Sequence, residues 1–332
     1  MGRSGIEVSR VILGCGNFGG IGSAPAFFGR GTSKAEAFDI MNAAWDAGIT
    51  TFDTADAYGG GSSEAFIGEW LATRPAVVRD QIVLATKTFN PMTDGADHGL
   101  APARITRQID ASLARLGVER VAMYLAHEFD PDVPLVETQD AFDALVRAGK
   151  VGAVGASNFT YEQLRGALDS SASNGQHRYE WVQNSFSLLE QGDTTGVLAR
   201  CRAEGLGYTP FSPLAGGWLT GKYRRGEAPP ANSRMTLRPE PYGSYLNDRI
   251  FDALESLEDL ASRHRTSMAQ MALSWALAQP GLTAIVIGPN RVEHLEPALG
   301  AAGSALAADV GNELSELFAV ARGPGPTTEV DL

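Results

Sequence analysis

One phrase recurs along this chain: an apolar face spaced at three and four residues, a glycine, then a short apolar run. Phe38, Met41 and Trp45 share such a face, and Gly48 follows before the run from Ile49 to Asp53. Leu113 and Leu116 precede Gly117 and the run that ends at His127. Phe142, Leu145 and Val146 precede Gly149 and Val151 to Ser157, and Val197, Leu198 and Cys201 precede Gly205 and Leu206 to Phe211. The three-four spacing marks a helix buried on one side, and unbroken apolar runs of about four to eight residues read as strands buried on both faces. Glycine directly after a helix supplies the left-handed cap at little steric cost. Repeated helix-strand phrases of this kind build a parallel sheet. Candidate strands fall near 11–14, 49–53, 82–87, 121–127, 151–157, 181–184, 206–211 and 283–287. Eight strands with helices between them predict an α/β fold, a (β/α)₈ TIM barrel with long loops over its C-terminal face. The expected organisation is a single barrel domain over residues 1–322, with residues 323–332 as a flexible tail.

Two stretches break the rhythm. Cys15 to Thr32 is rich in glycine and phenylalanine, and Lys222 to about Asn247 is rich in proline, arginine and tyrosine. Both follow candidate strands, so both are expected at the barrel mouth, where long loops act as lids or binding loops.

Composition narrows the function classes. The 332 residues are 44% hydrophobic and 20% charged, ordinary for a globular protein with a sizeable core. A net charge of -12 argues against nucleic acid and anionic membranes as partners, since both select basic surfaces. Cys15 and Cys201 have no metal-site spacing and read as reduced thiols. No apolar run is long enough for a membrane span, no signal-peptide pattern opens the chain, and Ile6 breaks a myristoylation pattern after Met1-Gly2. The expectation is a cytoplasmic protein acting on a small molecule, without a metal; nothing in the sequence sets its oligomeric state.

The chemistry sits at strand ends. Thr50-Thr51-Phe52-Asp53 is followed closely by Tyr58, Ile82 to Lys87 ends on an ammonium, and Val121 to His127 ends on an imidazole. Strand ends of a (β/α)₈ barrel converge on one face, where catalysis lives. Asp53, Tyr58, Lys87 and His127 can therefore meet, and together they can protonate a carbonyl oxygen. A phenol is a poor acid near neutrality unless its pKa falls, and a nearby ammonium lowers it. Lys87 is the candidate ammonium, Asp53 its counter-charge, and neutral His127 a hydrogen-bond donor to the developing alkoxide. Asp56 reads as a loop cap or structural partner. Phe27, Phe28, Phe89, Phe129 and Phe159 suit either an apolar pocket or ordinary packing.

Gly14-Cys15-Gly16-Asn17-Phe18-Gly19 matches a dinucleotide-binding glycine pattern after a strand, with Asp39 about twenty residues on. That pattern has to open a helix, and Gly20-Ile21-Gly22-Ser23-Ala24-Pro25 does not suit one. Asp39 falls inside a helical pattern. The stretch reads instead as a loop whose glycines let backbone approach a ligand, with Gly16, Asn17 and Phe18 as candidate cofactor contacts.

Taken together, the motifs resemble the aldo-keto reductase superfamily over Val11 to about Leu299. The resemblance rests on Phe52-Asp53-Thr54-Ala55-Asp56-Ala57-Tyr58 with Gly59 and Ser63-Glu64, on Ala85-Thr86-Lys87, and on Gly149-Lys150-Val151 through Phe159. It continues through Gln183-Asn184-Ser185 and Phe211 to Tyr223. It implies an NADPH-dependent oxidoreductase that reduces aldehydes or ketones to alcohols without a separate dinucleotide domain. By that resemblance Tyr58 is the proton donor, tuned by Lys87 and Asp53, and His127 orients the carbonyl. Ser157, Asn158 and Gln183 hold the nicotinamide carboxamide, Phe211 stacks on the ring, and Ser212, Pro213, Leu214, Gly216 and Lys222 wrap the pyrophosphate. Gly288, Asn290, Arg291 and His294 meet the adenosine end, with Arg291 suited to a 2′-phosphate. The chain departs from the family at Phe211, where Tyr is commoner, at Asn290, where Lys is common, and at His294 and Ala298, where Gln and Asn are common. A reading from another class is a cofactor-sensing regulatory subunit, since channel β subunits resemble the same family.

Overall fold

The computed structural model describes residues 1–322; the expected tail 323–332 lies outside them. The eight strands are β1 (Val11–Gly14), β2 (Thr51–Asp53), β3 (Val83–Thr88), β4 (Val121–Ala126), β5 (Val151–Ser157), β6 (Tyr179–Gln183), β7 (Gly207–Tyr208) and β8 (Ile285–Ile287). They run parallel in the order β7-β6-β5-β4-β3-β2-β1-β8. The two ends of that order meet: the Thr283 N–H donates to the Tyr208 carbonyl at 2.8 Å and the Val286 N–H to the Pro210 carbonyl at 3.0 Å. Strands alternating with helices and closed in this way are a (β/α)₈ barrel.

The helices begin and end where the sequence supplies the chemistry. Ser33 and Glu36 form a reciprocal capping box at the start of Lys34–Asp46, and Thr160 and Gln163 do the same for Tyr161–Asn174. Gly48, Gly117, Gly149 and Gly205 all adopt left-handed φ after their helices, as the recurring phrase predicts. The buried face of Lys34–Asp46 is Ala37, Ile40, Met41 and Ala44, so the expected Phe38 and Trp45 lie at its flanks. Strand seven ends well short of the expected Phe211. Pro210 has no N–H to continue a ladder, although the Thr209 and Phe211 N–H groups still donate to Val182 and Asn184.

The barrel is filled by a layer of inward side chains: Ile12, Ala85, Met123, Leu125, Ala153, Trp181, Ala284 and Val286. The Trp181 indole donates to the Thr209 hydroxyl at 2.6 Å, which satisfies the polar edge of the largest group in that layer. Side chains alternate along a strand with a period of two. Counting two residues onward from Ala85, Leu125 and Trp181 reaches Lys87, His127 and Gln183; counting four from Ala153 reaches Ser157. The residues that fill the barrel therefore fix the face on which the next polar residues emerge.

Contacts divide the chain into two compact units. The first comprises Met1–Asn184, Thr194–Phe211 and Pro280–Glu296, and holds all eight strands. The second takes Ser185–Asp193, Ser212–Gln279 and the chain from Pro297 onward. It includes the helices Asp248–Arg263 and Met268–Leu277, and the excursion expected from Lys222 to Asn247 gains only a short helix, Arg234–Leu237, and a 3₁₀ turn, Glu240–Tyr245. Within this unit the Trp275 indole stacks on Phe186 at 5.3 Å and donates to the Ser315 hydroxyl at 2.8 Å.

Candidate active site

Lys87 organises the centre of the first unit. Its ammonium is fully buried at the end of β3 and donates to Asp53 Oδ2 at 2.7 Å, to the Thr54 carbonyl at 3.0 Å and to the Tyr58 hydroxyl at 3.4 Å. Three donors and three acceptors match, which is the condition for holding an ammonium away from water. The second Asp53 oxygen accepts from Gln183 Nε2 at 3.2 Å, so β2, β3 and β6 are joined through one carboxylate. The His127 ring meets the Tyr58 ring edge-on, with centroids 5.5 Å apart and planes at 77°. The four residues expected to meet at the strand ends do so.

Tyr58 is not on a strand, and its loop is set by glycine. Gly59, Gly60 and Gly61 have φ of 59, 65 and 94°, a left-handed run that side-chain-bearing residues adopt only at a cost. Backbone of the Cys15–Thr32 loop packs directly on Gly59, and the Gly59 N–H donates to the Gly22 carbonyl at 3.2 Å. The adjoining helix Ser62–Ala72 is fastened from below. Ser63 donates to the Cys15 carbonyl at 2.9 Å, and fully buried Glu64 accepts from Thr86 at 2.6 Å and from Arg115 at 2.7 Å.

Electrostatics sharpen the arrangement. Burial drives the Lys87 pKa down, but Asp53 and Tyr58 more than restore it, leaving it above its ordinary value and the group charged. Burial, followed by the Lys87 charge, holds His127 well below its ordinary range, so the imidazole is neutral. The Tyr58 phenol departs from the sequence expectation. Burial raises its pKa, Lys87 opposes that rise without cancelling it, and the net direction is upward. Asp56 does act as a structural partner: it accepts from the Thr88 hydroxyl at 2.7 Å, and burial lifts its carboxyl to about 7.

The flanking residues fall into three groups. Asn158, with φ of 59°, donates to the His127 carbonyl at 2.9 Å and to the Ser157 hydroxyl at 3.2 Å. Among the described residues the Gln183 amide donates one N–H, to Asp53, so its second N–H, the Ser157 hydroxyl hydrogen and the side-chain carbonyls of Asn158 and Gln183 keep hydrogen-bonding capacity. Gly16 lies against the Tyr58 ring, and Asn17 Nδ2 donates to the Gly288 carbonyl at 2.9 Å, tying the first loop to the loop after β8. Phe18 is fully buried with its N–H spent on the Cys15 carbonyl, so its side chain packs the loop. The loop holds only a 3₁₀ turn, Pro25–Phe27; the first α-helix starts at Lys34 and contains Asp39, which disposes of the dinucleotide-fold imitation. Asn290, Arg291 and His294 are exposed beyond β8, and Arg291 adds to the charges that lower the pKa of Glu36, after the hydrogen bonds from Ser33.

Ser212, Pro213, Leu214, Gly216 and Lys222 belong to the second unit. Ser212, Ala215, Gly216, Gly217 and Gly221 all have positive φ, a tightly coiled stretch in which two residues bear side chains. The Lys222 ammonium occupies the space a Cβ on Gly217 would take, and the Tyr242 ring covers Gly216 in the same way. Desolvation and then Arg234 push Lys222 below its ordinary pKa, and no carboxylate among the described residues pairs with it. Arg224 and Arg225 belong elsewhere. Arg224 forks onto Glu258, and Arg225 reaches Asp248, Asp252 and Glu255 along the helix Asp248–Arg263.

Sequence reasoning missed a polar chain behind His127. Asn90 Nδ2 lies 3.3 Å from His127 Nδ1, and the buried guanidinium of Arg104 donates to the Asn90 carbonyl at 2.7 Å and to Thr88 Oγ1 at 2.7 Å. Arg104 reads as an ordinary charged helix position, and only the fold turns it inward.

Comparison with known proteins agrees with this architecture. The chain is 35% identical to a Bacillus subtilis (strain 168) protein described as the uncharacterized oxidoreductase YrpG, covering 99% of this chain and 96% of that one. It is 32% identical to L-glyceraldehyde 3-phosphate reductase of Escherichia coli (strain K12), over 89% of this chain and 84% of the relative. Versiconal hemiacetal acetate reductase of Aspergillus parasiticus is 29% identical over 90% of each. The sequence profile of the Aldo/keto reductase family matches residues 10–318, a span that contains every strand and every residue of the Lys87 cluster. The chain belongs to the aldo/keto reductase family of oxidoreductases.

Proposed function

We propose that this chain is an NADPH-dependent carbonyl reductase in which Tyr58 delivers the proton. The observation that carries the reading is the buried Lys87 ammonium bridging Asp53 and the Tyr58 hydroxyl. Reduction of an aldehyde or ketone needs a hydride at carbon and a proton at oxygen, and bound NADPH supplies the hydride. A phenol whose pKa is raised stays protonated through neutral pH but holds its proton tightly, so its acidity depends on what stabilises the phenolate. The phenolate left behind would be costly in a buried site alone, and Lys87 at 3.4 Å offsets that cost. Asp53 keeps the lysine charged. Neutral His127 donates a hydrogen bond toward the same oxygen, an electrostatic contribution aimed at charge as it develops.

The residues present suit the cofactor. A carboxamide offers two N–H donors and one acceptor. The open capacity of Ser157, Asn158 and Gln183 is two donors, the Ser157 hydroxyl and the second Gln183 N–H, and two carbonyl acceptors, enough to meet all three groups. Lys222 beside the coiled glycine stretch, with no carboxylate paired to it among the described residues, suits a pyrophosphate. Exposed Arg291 suits the 2′-phosphate that separates NADPH from NADH. The named reductases among the relatives act on a sugar-derived aldehyde phosphate and a hemiacetal ester, which supports small carbonyl compounds or their hydrated equivalents as the substrate class.

Arg291→Ala is expected to raise the NADPH dissociation constant about 10- to 100-fold, the equivalent of a charge-assisted contact of roughly 1.5–3 kcal/mol. NADH affinity should change little. Titration of protein fluorescence with each cofactor checks this, and equal weakening of both would make Arg291 a structural residue.

A further inference from the structure

We propose that Asn90 is a positioning residue that fixes the tautomer of His127, so that the imidazole presents Nε2–H to the substrate oxygen. The role in catalysis rests on the carbonyl-reductase reading; the tautomer itself does not.

A neutral imidazole has one N–H and one lone-pair nitrogen, and the hydrogen bond made at one nitrogen decides what the other can do. His127 is neutral, because burial and Lys87 both oppose its charging. Its Nδ1 faces the side-chain amide nitrogen of Asn90 at 3.3 Å. An amide nitrogen can only donate, so Nδ1 is the acceptor and the proton resides on Nε2. The opposite tautomer would set an N–H against an N–H on one side and leave a lone pair facing a carbonyl oxygen on the other.

The backbone on either side of this contact is held in place. The His127 N–H donates to the Thr88 carbonyl at 2.9 Å, which fixes the imidazole's own main chain to β3. Arg104, only 2% exposed, donates to the Asn90 carbonyl and the Thr88 hydroxyl, and also to the Gly99 carbonyl at 3.0 Å and the Asp97 carbonyl at 3.3 Å. One guanidinium thus holds both ends of the 89–100 loop. The Gly99 N–H closes the same loop onto the Phe89 carbonyl at 2.7 Å, and the Leu100 N–H anchors it on Asp130 at 2.6 Å. Carboxylate oxygens of Asp56 and Asp97 stand 3.8 Å from Arg104, near enough to balance its charge while its hydrogen bonds go to the loop. Burying a guanidinium to brace a short loop is costly. The loop it braces carries Asn90, whose side chain meets His127 Nδ1.

The test is the nitrogen spectrum of His127. Long-range proton–nitrogen correlation on ¹⁵N-histidine protein at neutral pH, without substrate, distinguishes the two neutral tautomers and the imidazolium. The chain has 5 histidines, and His127→Gln identifies the signal. The expected wild-type pattern is Nε2–H with a lone pair at Nδ1. Asn90→Asp can only accept, so it should draw a proton onto Nδ1, and Asn90→Leu should give a mixture of tautomers. A wild-type Nδ1–H pattern, or retention of the Nε2–H pattern in both variants, overturns the proposal. In kinetics, Asn90→Leu should lower kcat about tenfold, the worth of one hydrogen bond, with cofactor affinity unchanged. Altered spectra with unaltered kcat would overturn the positioning role. Absence of any carbonyl reduction by the wild type would instead defeat the reductase reading, while the spectra would still decide the tautomer.

Discussion

Tyr58→Phe is expected to slow carbonyl reduction by about 10²- to 10⁴-fold, the usual range for losing a general acid. Cofactor affinity should be preserved, because the ring stays and only the hydroxyl leaves. The proton then has to come from solvent or from His127, which is neutral and held well below its ordinary pKa. The wild-type pH profile should carry the same signature. As the proposed acid Tyr58 acts in its protonated form, and its pKa lies above the ordinary 10.0, so reduction should stay level through neutral pH and fall only above pH 10. Steady-state turnover together with a deuteride isotope effect checks both points. Full activity in the variant, with hydride transfer shown to limit the rate, would assign the proton to another group.

Lys87→Met should produce two separable effects. It strands the Asp53 carboxylate, which is 2% exposed and, among the described residues, pairs with Lys87 alone. Breaking a buried pair from one side costs about 3–5 kcal/mol of stability. It also leaves the Tyr58 phenolate without its cation, and reduction should fall by about 10²- to 10³-fold, the range for losing one preorganised electrostatic partner. Adding Asp53→Asn removes the stranded charge. The double variant should recover most of the melting temperature and none of the activity. Recovery of both would show that Lys87 matters only for holding the fold.

Much of this arrangement is written locally. The three-four helical faces and their terminal glycines set the helix-strand repeat, and each strand's period of two carries Lys87, His127 and Gln183 to the same side as Ala85, Leu125 and Trp181. Once the strands are placed, the meeting of Asp53, Lys87 and His127 follows from geometry. What stayed hidden depends on long-range packing. The pKa direction of Tyr58 is a balance between burial and Lys87, and the depth of burial is not a property of the residues near Tyr58 in sequence. Arg104 and Asn90 are fourteen residues apart and become partners only when their loop folds back. The acidic partners of Arg224 and Arg225, from Asp248 to Glu258, lie a further twenty or more residues along the chain, so only the fold pairs them.

The proposed role of the Lys87 cluster is to move a proton to a carbonyl oxygen, rather than only to accompany a bound nucleotide. Single-turnover stopped-flow tests it most directly: the protein saturated with NADPH is mixed with activated aldehydes and diketones, and nicotinamide absorbance is followed. The expected result is oxidation of the bound cofactor with at least some of these carbonyls, and loss of that phase in Tyr58→Phe. Tight NADPH binding with no oxidation across the panel would contradict it, and would favour a protein that senses the cofactor without turning it over.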